Sequence, residues 1–355
     1  FALYEPRGFR TDYRARPYND ETDSPVSGGT PELTVDSVPT HHHELLRVDL
    51  DAYEQSRLVT VNDNFGRGYA FTPDADGTVL ASTGVPGAPS MNVIGEIRVT
   101  DALLVTPRRL DIPTGAVGLY DQPSGRAAYV SLAEIMRRGA QVFLDLDPGE
   151  LAVGLSPVRV PLLAVDEPDA KAQVAAAVYL ADTAENGAGY ALELGGPSVF
   201  LSFMEKTLDD VLVSWHRSQH TAGCDLSCPD CLRSYDNARR HPLLDWRLAT
   251  DMLELVVGRP LTVSRSLPDD LMPLQTSAEG LQGAAVLHIG AIPAVVRNDR
   301  CVLLAHPLWR LDDDWFTMSQ AEAQVEAAEK FQTVSWHDVR LFRRNPLSVW
   351  ANLSS

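Results

Sequence analysis

The feature that most constrains this chain is GCDLSCPDCLRSYDN, residues 223–237, where Cys224, Cys228 and Cys231 follow one another as C-x3-C-x2-C. Thiols this close cannot build a disulfide framework, but on a tight turn they converge on one tetrahedral ion with little strain. Zinc is the default ion for such a set, and a closed structural site needs a fourth donor. His220, four residues before Cys224, is one candidate; His216, His241 and the distant Cys301 are the others. A catalytic, deaminase-like zinc would need a His-x-Glu beside the metal, and none precedes this Cys-x-x-Cys. The predicted cofactor is therefore a structural Zn²⁺.

A metal knuckle of reduced cysteines implies a reducing compartment, and only four cysteines occur in 355 residues. No run of about 20 apolar residues is present, and the opening FALYEPRGFRTDY lacks the charged start and apolar core of a signal peptide. The expectation is a cytoplasmic protein with no membrane partner. The start at Phe1 reads as mid-protein sequence, a piece of a longer polypeptide. Lys and Arg number 30 against 48 Asp and Glu, for a formal charge of -18. That sign is wrong for a chain that grips DNA by neutralising phosphates alone, so any nucleic-acid contact is local or belongs to a partner.

Residues 19–40, NDETDSPVSGGTPELTVDSVPT, read as a solvated acidic loop. His41, His42 and His43 then read as a polar loop end, because adjacent histidines on extended chain point to alternating sides. Segments 1–44 and 45–115 are an extended N-terminal part and a β-rich part, the latter with LLRVDL, RLVTVND, YAFTP and GEIRVTDALLV as strands. Segment 116–262 is an α/β core. It holds a helix in AAYVSLAEIMRR, a strand in AQVFLDLDPGELAVGL, a strand in AAAVYLAD and a helix burying Phe200, Phe203, Leu208, Leu212 and Trp215. The helix LLDWRLATDMLELVVG, stopped by Gly258 and Pro260, closes that core. Segment 263–355 is a small α/β tail with strands AAVLHIG and CVLLAHPLW and the helix SQAEAQVEAAEKF. The fold class is mixed α/β (α+β).

Two further patterns bear on chemistry. ADTAENGAGY, 181–190, runs an apolar strand into an acidic Gly-rich turn of the kind that lets backbone approach closely. A metal-dependent nuclease would recruit Asp147, Glu150 and Asp182, with Asp145 and Glu185 nearby, but no lysine follows at the Asp...Glu-x-Lys spacing. Arg233, Arg239, Arg240 and Arg247 surround Tyr235 and Trp246, a mixture suited to phosphate contact and stacking on a nucleic-acid strand, and equally to a solvated face. No Walker A loop or helicase motor motif is present, so the chain is expected to have no ATPase activity alone. An acidic protein-interaction scaffold is the remaining alternative.

Several segments together resemble the MrfA-type zinc-binding C-terminal domain found behind superfamily 2 DNA helicase motors, with a relative in the DrmB component of DISARM anti-phage systems. They are EPRGFRTDY, VNDNFGRGYAF, AAYVSLAEIMRRGAQVFLDLDPGELAVGL, YLADTAENGAGY, CDLSCPDCLRSYDN and HPLLDWRLA, in that order. The cysteine motif with Leu-Arg-x-Tyr-x-Asn and the Asn-Gly-Ala-Gly-Tyr turn are the specific parts. The resemblance implies a non-catalytic accessory role in phage defence or DNA repair. A helicase motor, in cis or in trans, would supply ATP-driven work on DNA. Relatives commonly place a Cys directly after Gly-Ala-Gly-Tyr, where this chain has Ala191. Four-thiolate coordination therefore does not carry over, and a histidine such as His220 would have to complete the site.

Overall fold

A computed structural model describes residues 2–4, 31–35, 38–62, 69–73, 79–83, 92–107, 120, 122–160, 173–311 and 316–354. The segment EPRGFRTDY, most of the 19–40 loop and residues 63–68 lie outside the described residues. Among the described residues the fold is mixed α/β, with two sheets and helices packed on them.

The strands of the first sheet are β1 (Ala2–Tyr4), β2 (Pro31–Thr34), β3 (His41–Glu44), β4 (Val48–Asn62), β5 (Tyr69–Pro73), β6 (Val79–Thr83), β7 (Asn92–Pro107), β8 (Leu151–Val160) and β9 (Gln173–Asp182). β4 and β7 form its long antiparallel centre; β9 adds to the C-terminal half of β7, and β8 to β9. The sequence suggests two strands where β4 is one. A β-bulge between Tyr53 and Ser56, with Gln55 at φ 56°, lets a single strand bend where the pattern breaks. The histidine triplet is also a strand rather than a loop end: β3 pairs with β4, and His42 Nδ1 lies 2.6 Å from Asp51 Oδ1.

Strand alternation sorts the core. Leu103, Val105, Val178 and Leu180 point to the helices, whereas Ala102, Leu104, Tyr179 and Ala181 join Tyr53 and Leu58 in a smaller cluster. On the larger face lie α1 (Pro123–Leu144), α2 (Tyr190–Leu194), α3 (Pro197–Ser214), α4 (Ser218–Gly223) and α5 (Trp246–Val256). Leu132, Ile135, Met136 and Ala140 of α1 are buried at helical spacing. This stripe carries the helix through residues 140–144, which the sequence suggests begin a strand, to Asp145 at φ 56°. Gly139 continues the stripe because a Cβ there would stand 2.2 Å from Thr207 Oγ1 of α3. Phe200, Phe203, Leu208 and Trp215 are buried as expected, and Leu212 is half-buried.

The last part holds α6 (Met272–Ala278), the four-stranded sheet β10 (Ala285–Ile289), β11 (Ile292–Arg297), β12 (Arg300–Ala305) and β13 (Thr333–Asp338), then α7 (Met318–Lys330), α8 (Val339–Arg344) and α9 (Trp350–Ser354). β10 to β12 run antiparallel, and α7 is the crossover that returns β13 parallel to β12. A buried polar junction ties this part to α5. Arg265 bridges Asp251 and Glu254, and His306 Nε2 lies 3.3 Å from Asp251 Oδ2. No helix among the described residues is long and apolar enough to cross a membrane.

Candidate metal centre

Four donors converge where α4 meets the cysteine turn. The ligand atoms of His220, Cys224, Cys228 and Cys231 all lie within 4.8 Å of one another. Cys224 Sγ is 3.8 Å from Cys231 Sγ, Cys228 Sγ is 3.7 Å from Cys231 Sγ, and Cys228 Sγ is 3.6 Å from His220 Nε2. A zinc ion with Zn–S of about 2.3 Å and Zn–N of about 2.0–2.1 Å gives tetrahedral edges of about 3.8 Å between sulfurs and about 3.6 Å between sulfur and nitrogen. The three short edges match those of a zinc tetrahedron.

Local structure aims each donor. His220 sits on α4, and its Nδ1 lies 2.8 Å from the Trp215 carbonyl oxygen. A carbonyl only accepts, so Nδ1 carries the proton and Nε2 turns its lone pair toward the thiols. The Cys228 N–H donates to Cys231 Sγ at 3.0 Å, while the Cys228 carbonyl accepts from the N–H groups of Cys231 and Arg233. This closes the Cys-Pro-Asp-Cys knuckle. Burial pushes the Cys224 thiol well above the usual thiol range, and the neighbouring Cys231 adds to it. Burial also raises Cys231, against the opposing backbone N–H groups of Cys228 and Leu232. Thiolates in such a pocket need a cation to carry their charge.

The knuckle is latched to its surroundings by Trp246 and Asn237 and by two residues to which the sequence assigned no role, Arg138 and Glu134. Trp246 donates from Nε1 to the Cys224 carbonyl at 3.1 Å and from its backbone N–H to Leu226 O at 2.8 Å. Its ring meets His216 and His220 edge-on. On α1, Arg138 donates to the Cys231 carbonyl, and one turn earlier Glu134 is nearly sealed from solvent. Glu134 accepts from Arg137 Nη2 at 2.9 Å, Arg240 Nη1 at 2.8 Å and Asn237 Nδ2 at 2.9 Å. Asn237 also donates to Leu232 O and accepts from the Ser234 N–H. The asparagine of the Leu-Arg-x-Tyr-x-Asn run thus folds the knuckle's exit onto the Glu134 carboxylate.

The other fourth-donor candidates have different places. His241 Nε2 lies 3.0 Å from both Ser234 O and Asn237 Oδ1, Cys301 is buried in β12, and His216 edges Trp246. Ala191 is fully buried and its N–H donates to Asp182 Oδ1 at 3.0 Å.

Of the predicted nucleic-acid residues, Arg240 is engaged by Glu134 and the Val153 carbonyl. Arg233 is exposed with its Nε on Ser227 Oγ, Arg239 is half-buried, and Arg247 lies over the Trp246 ring at 4.6 Å. Tyr235 is exposed.

Two of the nuclease carboxylates, Asp182 and Glu150, accept backbone N–H groups. Asp182, fully buried, accepts from the N–H groups of Ala188, Tyr190 and Ala191, clasping the Asn-Gly-Ala-Gly-Tyr turn. Gly187, at φ +76°, presses against Asp101, where a Cβ would lie 2.1 Å from Oδ2. Glu150 Oε2 accepts from the Asp147 N–H at 2.8 Å. Among the described residues, the only converging group of three or more metal-type donors is the Cys₃His set.

Comparison with known proteins agrees with this geometry. Residues 132–232 match the MrfA Zn-binding domain family. The matched stretch runs from the middle of α1 through the three cysteines and supports zinc binding there. Four protein donors close the tetrahedron and leave no position for water, the arrangement of a structural zinc. The chain is also 31% identical over 128 residues to the Druantia protein DruE of Escherichia coli (strain UMEA 4076-1), covering 36% of this chain and 6% of that protein. The DUF1998 helicase MrfA, crystallised bound to DNA, aligns with 65% of this chain and 25% of its own length, at a TM-score of 0.35 and 11% identity. The chain thus spans a small part of the length of either protein.

Proposed function

We propose that this chain is the non-catalytic, zinc-binding accessory domain of a cytoplasmic DNA helicase system acting in phage defence or DNA repair. Cys224, Cys228, Cys231 and His220 hold one structural Zn²⁺, and the domain helps a superfamily 2 motor, in cis or in trans, engage DNA or a partner subunit. The observation that carries this reading is the closed Cys₃His tetrahedron inside a stretch matching the MrfA Zn-binding family. The partial match to a Druantia protein supports the defence setting. Arg233 and Arg239, with Arg247 over the Trp246 ring and the exposed Tyr235, are the proposed local DNA contact in an otherwise acidic chain; Arg240 is engaged by Glu134.

Because structural zinc binding is folding energy, replacing Cys228 and Cys231 together by Ser should unfold the 132–232 region. The purified wild type should bind a labelled oligonucleotide with an affinity that falls as salt rises, and should show no intrinsic nuclease or ATPase activity. A stable Cys228→Ser/Cys231→Ser protein with undiminished binding would contradict the reading. The charge of -18 favours one further reading, a scaffold docking a basic protein. It predicts salt-sensitive binding to that protein and none to DNA.

A further inference from the structure

Behind the zinc knuckle, α5, the 265–268 segment and α8 enclose a pair of adjoining cavities that both include Arg247, Ser266 and Arg343 in their walls. The larger, about 280 Å³, is walled elsewhere by Trp246, Pro268, Pro273 and Leu274 together with His216, Thr221 and Arg265. The narrower end, about 20 Å³, has room for one water-sized group and is also lined by Arg340 and Asp245. Arg340 is 4% exposed; its Nε donates to Asp245 Oδ2 at 3.0 Å, yet both of its terminal nitrogens, Nη1 and Nη2, are buried without a hydrogen-bond partner.

A buried guanidinium with two unmatched donors is costly unless an acceptor meets them. The neighbouring charges favour an anionic acceptor. Arg247 and Arg343 are close enough that the Arg343 charge opposes protonation of Arg247, alongside the larger effect of burial. The carboxylates present are Asp245, which caps α5 through the Arg247 and Leu248 N–H groups, and Asp225, whose side chain is 63% exposed and pairs with Arg343. Four guanidiniums line the two cavities; Arg265 is neutralised by Asp251 and Glu254, which leaves Arg247, Arg340 and Arg343 facing Asp245 and the largely exposed Asp225.

We infer that this double cavity is a phosphate-binding site, in which Arg340 and Arg343 grip the oxygens of a phosphate group seated against Ser266 and Arg247. Guanidinium forks match phosphate oxygens in pairs, and the apolar wall beyond them accommodates the sugar or base attached to that phosphate. The ligand class is a phosphate ester, from a nucleic-acid strand or a free nucleotide. The strand source rests on the domain's engaging DNA, as proposed above.

The test is calorimetric titration of the zinc-loaded chain with inorganic phosphate, a mononucleotide and a short single-stranded oligonucleotide, for wild type, Arg343→Gln and Arg340→Lys. Arg343 is partly exposed, so Arg343→Gln should fold, while Arg340→Lys retains the charge beside Asp245 and removes the two terminal donors. Each variant should bind phosphate on the order of tenfold more weakly, with zinc content and circular dichroism unchanged. Phosphate binding with no oligonucleotide binding would support the pocket and overturn the strand source. Oligonucleotide binding that is equal in all three proteins would overturn the pocket and leave DNA engagement standing. Phosphate that binds neither wild type nor variants would overturn the site, leaving Arg340 solvated by water.

Discussion

Replacing Glu134 by Ala should loosen the zinc knuckle from 90 or more residues away in sequence, because this carboxylate is the anchor of its exit. Glu134 is 2% exposed at its side chain and is met by Arg137 at 2.9 Å and Arg240 at 2.8 Å, with side-chain exposures of 13% and 20%, and by Asn237 at 2.9 Å. Hydrogen bonds to a charged group contribute about 1.5–3 kcal/mol each, so three would exceed 4 kcal/mol if independent. Both arginines keep some water, which offsets part of that loss, and the expected cost of Glu134→Ala is about 3–5 kcal/mol, the range for removing one partner of a buried pair. Glu134→Gln keeps the shape and one acceptor oxygen and should cost about half as much. The assay is guanidinium chloride unfolding in excess zinc, with midpoint and slope read separately. Adding Asn237→Ala to Glu134→Ala should cost less than the two singles summed, since they share a contact. Strict additivity, or a loss below about 1 kcal/mol for Glu134→Ala, would refute the latch.

Other expectations follow from the same contacts. Asp182→Ala removes the acceptor of three backbone N–H groups and should destabilise by about 2–4 kcal/mol, seen as a lowered unfolding midpoint. A folded Asp182→Ala protein that has lost Mg²⁺-dependent cleavage would instead support the nuclease alternative. Gly139→Ala should cost about 1–3 kcal/mol through collision with Thr207, despite the helix preference for Ala, and Thr207→Ala should recover most of that loss. Undiminished cost in the double variant would contradict the close crossing of α1 and α3. Since burial holds Cys224 and Cys231 protonated in the metal-free chain, zinc uptake at neutral pH should release protons, and affinity should climb as pH rises. Calorimetry in buffers of differing ionisation heat reads this directly; identical heats in all of them would count against it.

What the sequence revealed depended on how local the governing physics is. The C-x3-C-x2-C spacing with His220 one helical turn upstream is a local pattern, and the four donors do converge. The apolar stripe of α3 is likewise local, whereas α5 starts at Trp246 behind its Asp245 cap and not at Leu243 as the pattern suggests. Residues 140–144 read as a strand because their apolar run suits either period, whereas they continue α1 to Leu144. β4 was divided in two because a bulge at Gln55 interrupts the alternation without ending the strand. β11 was missed because Pro293 within IPAVVR argues against a strand. Glu134 looked like any polar residue on a helix, since its partners Asn237 and Arg240 lie over 100 residues away. The unpaired ends of Arg340 likewise appear only once α5 and α8 are brought together.

The central claim is most directly tested by the metal content of the purified chain, measured by elemental analysis for wild type, Cys231→Ser and His220→Ala. The account predicts about one zinc per wild-type chain, and its loss from both variants, because Cys₃His is the complete ligand set. Zinc retained in His220→Ala would place the fourth donor elsewhere, and a wild-type chain without zinc would contradict the account outright.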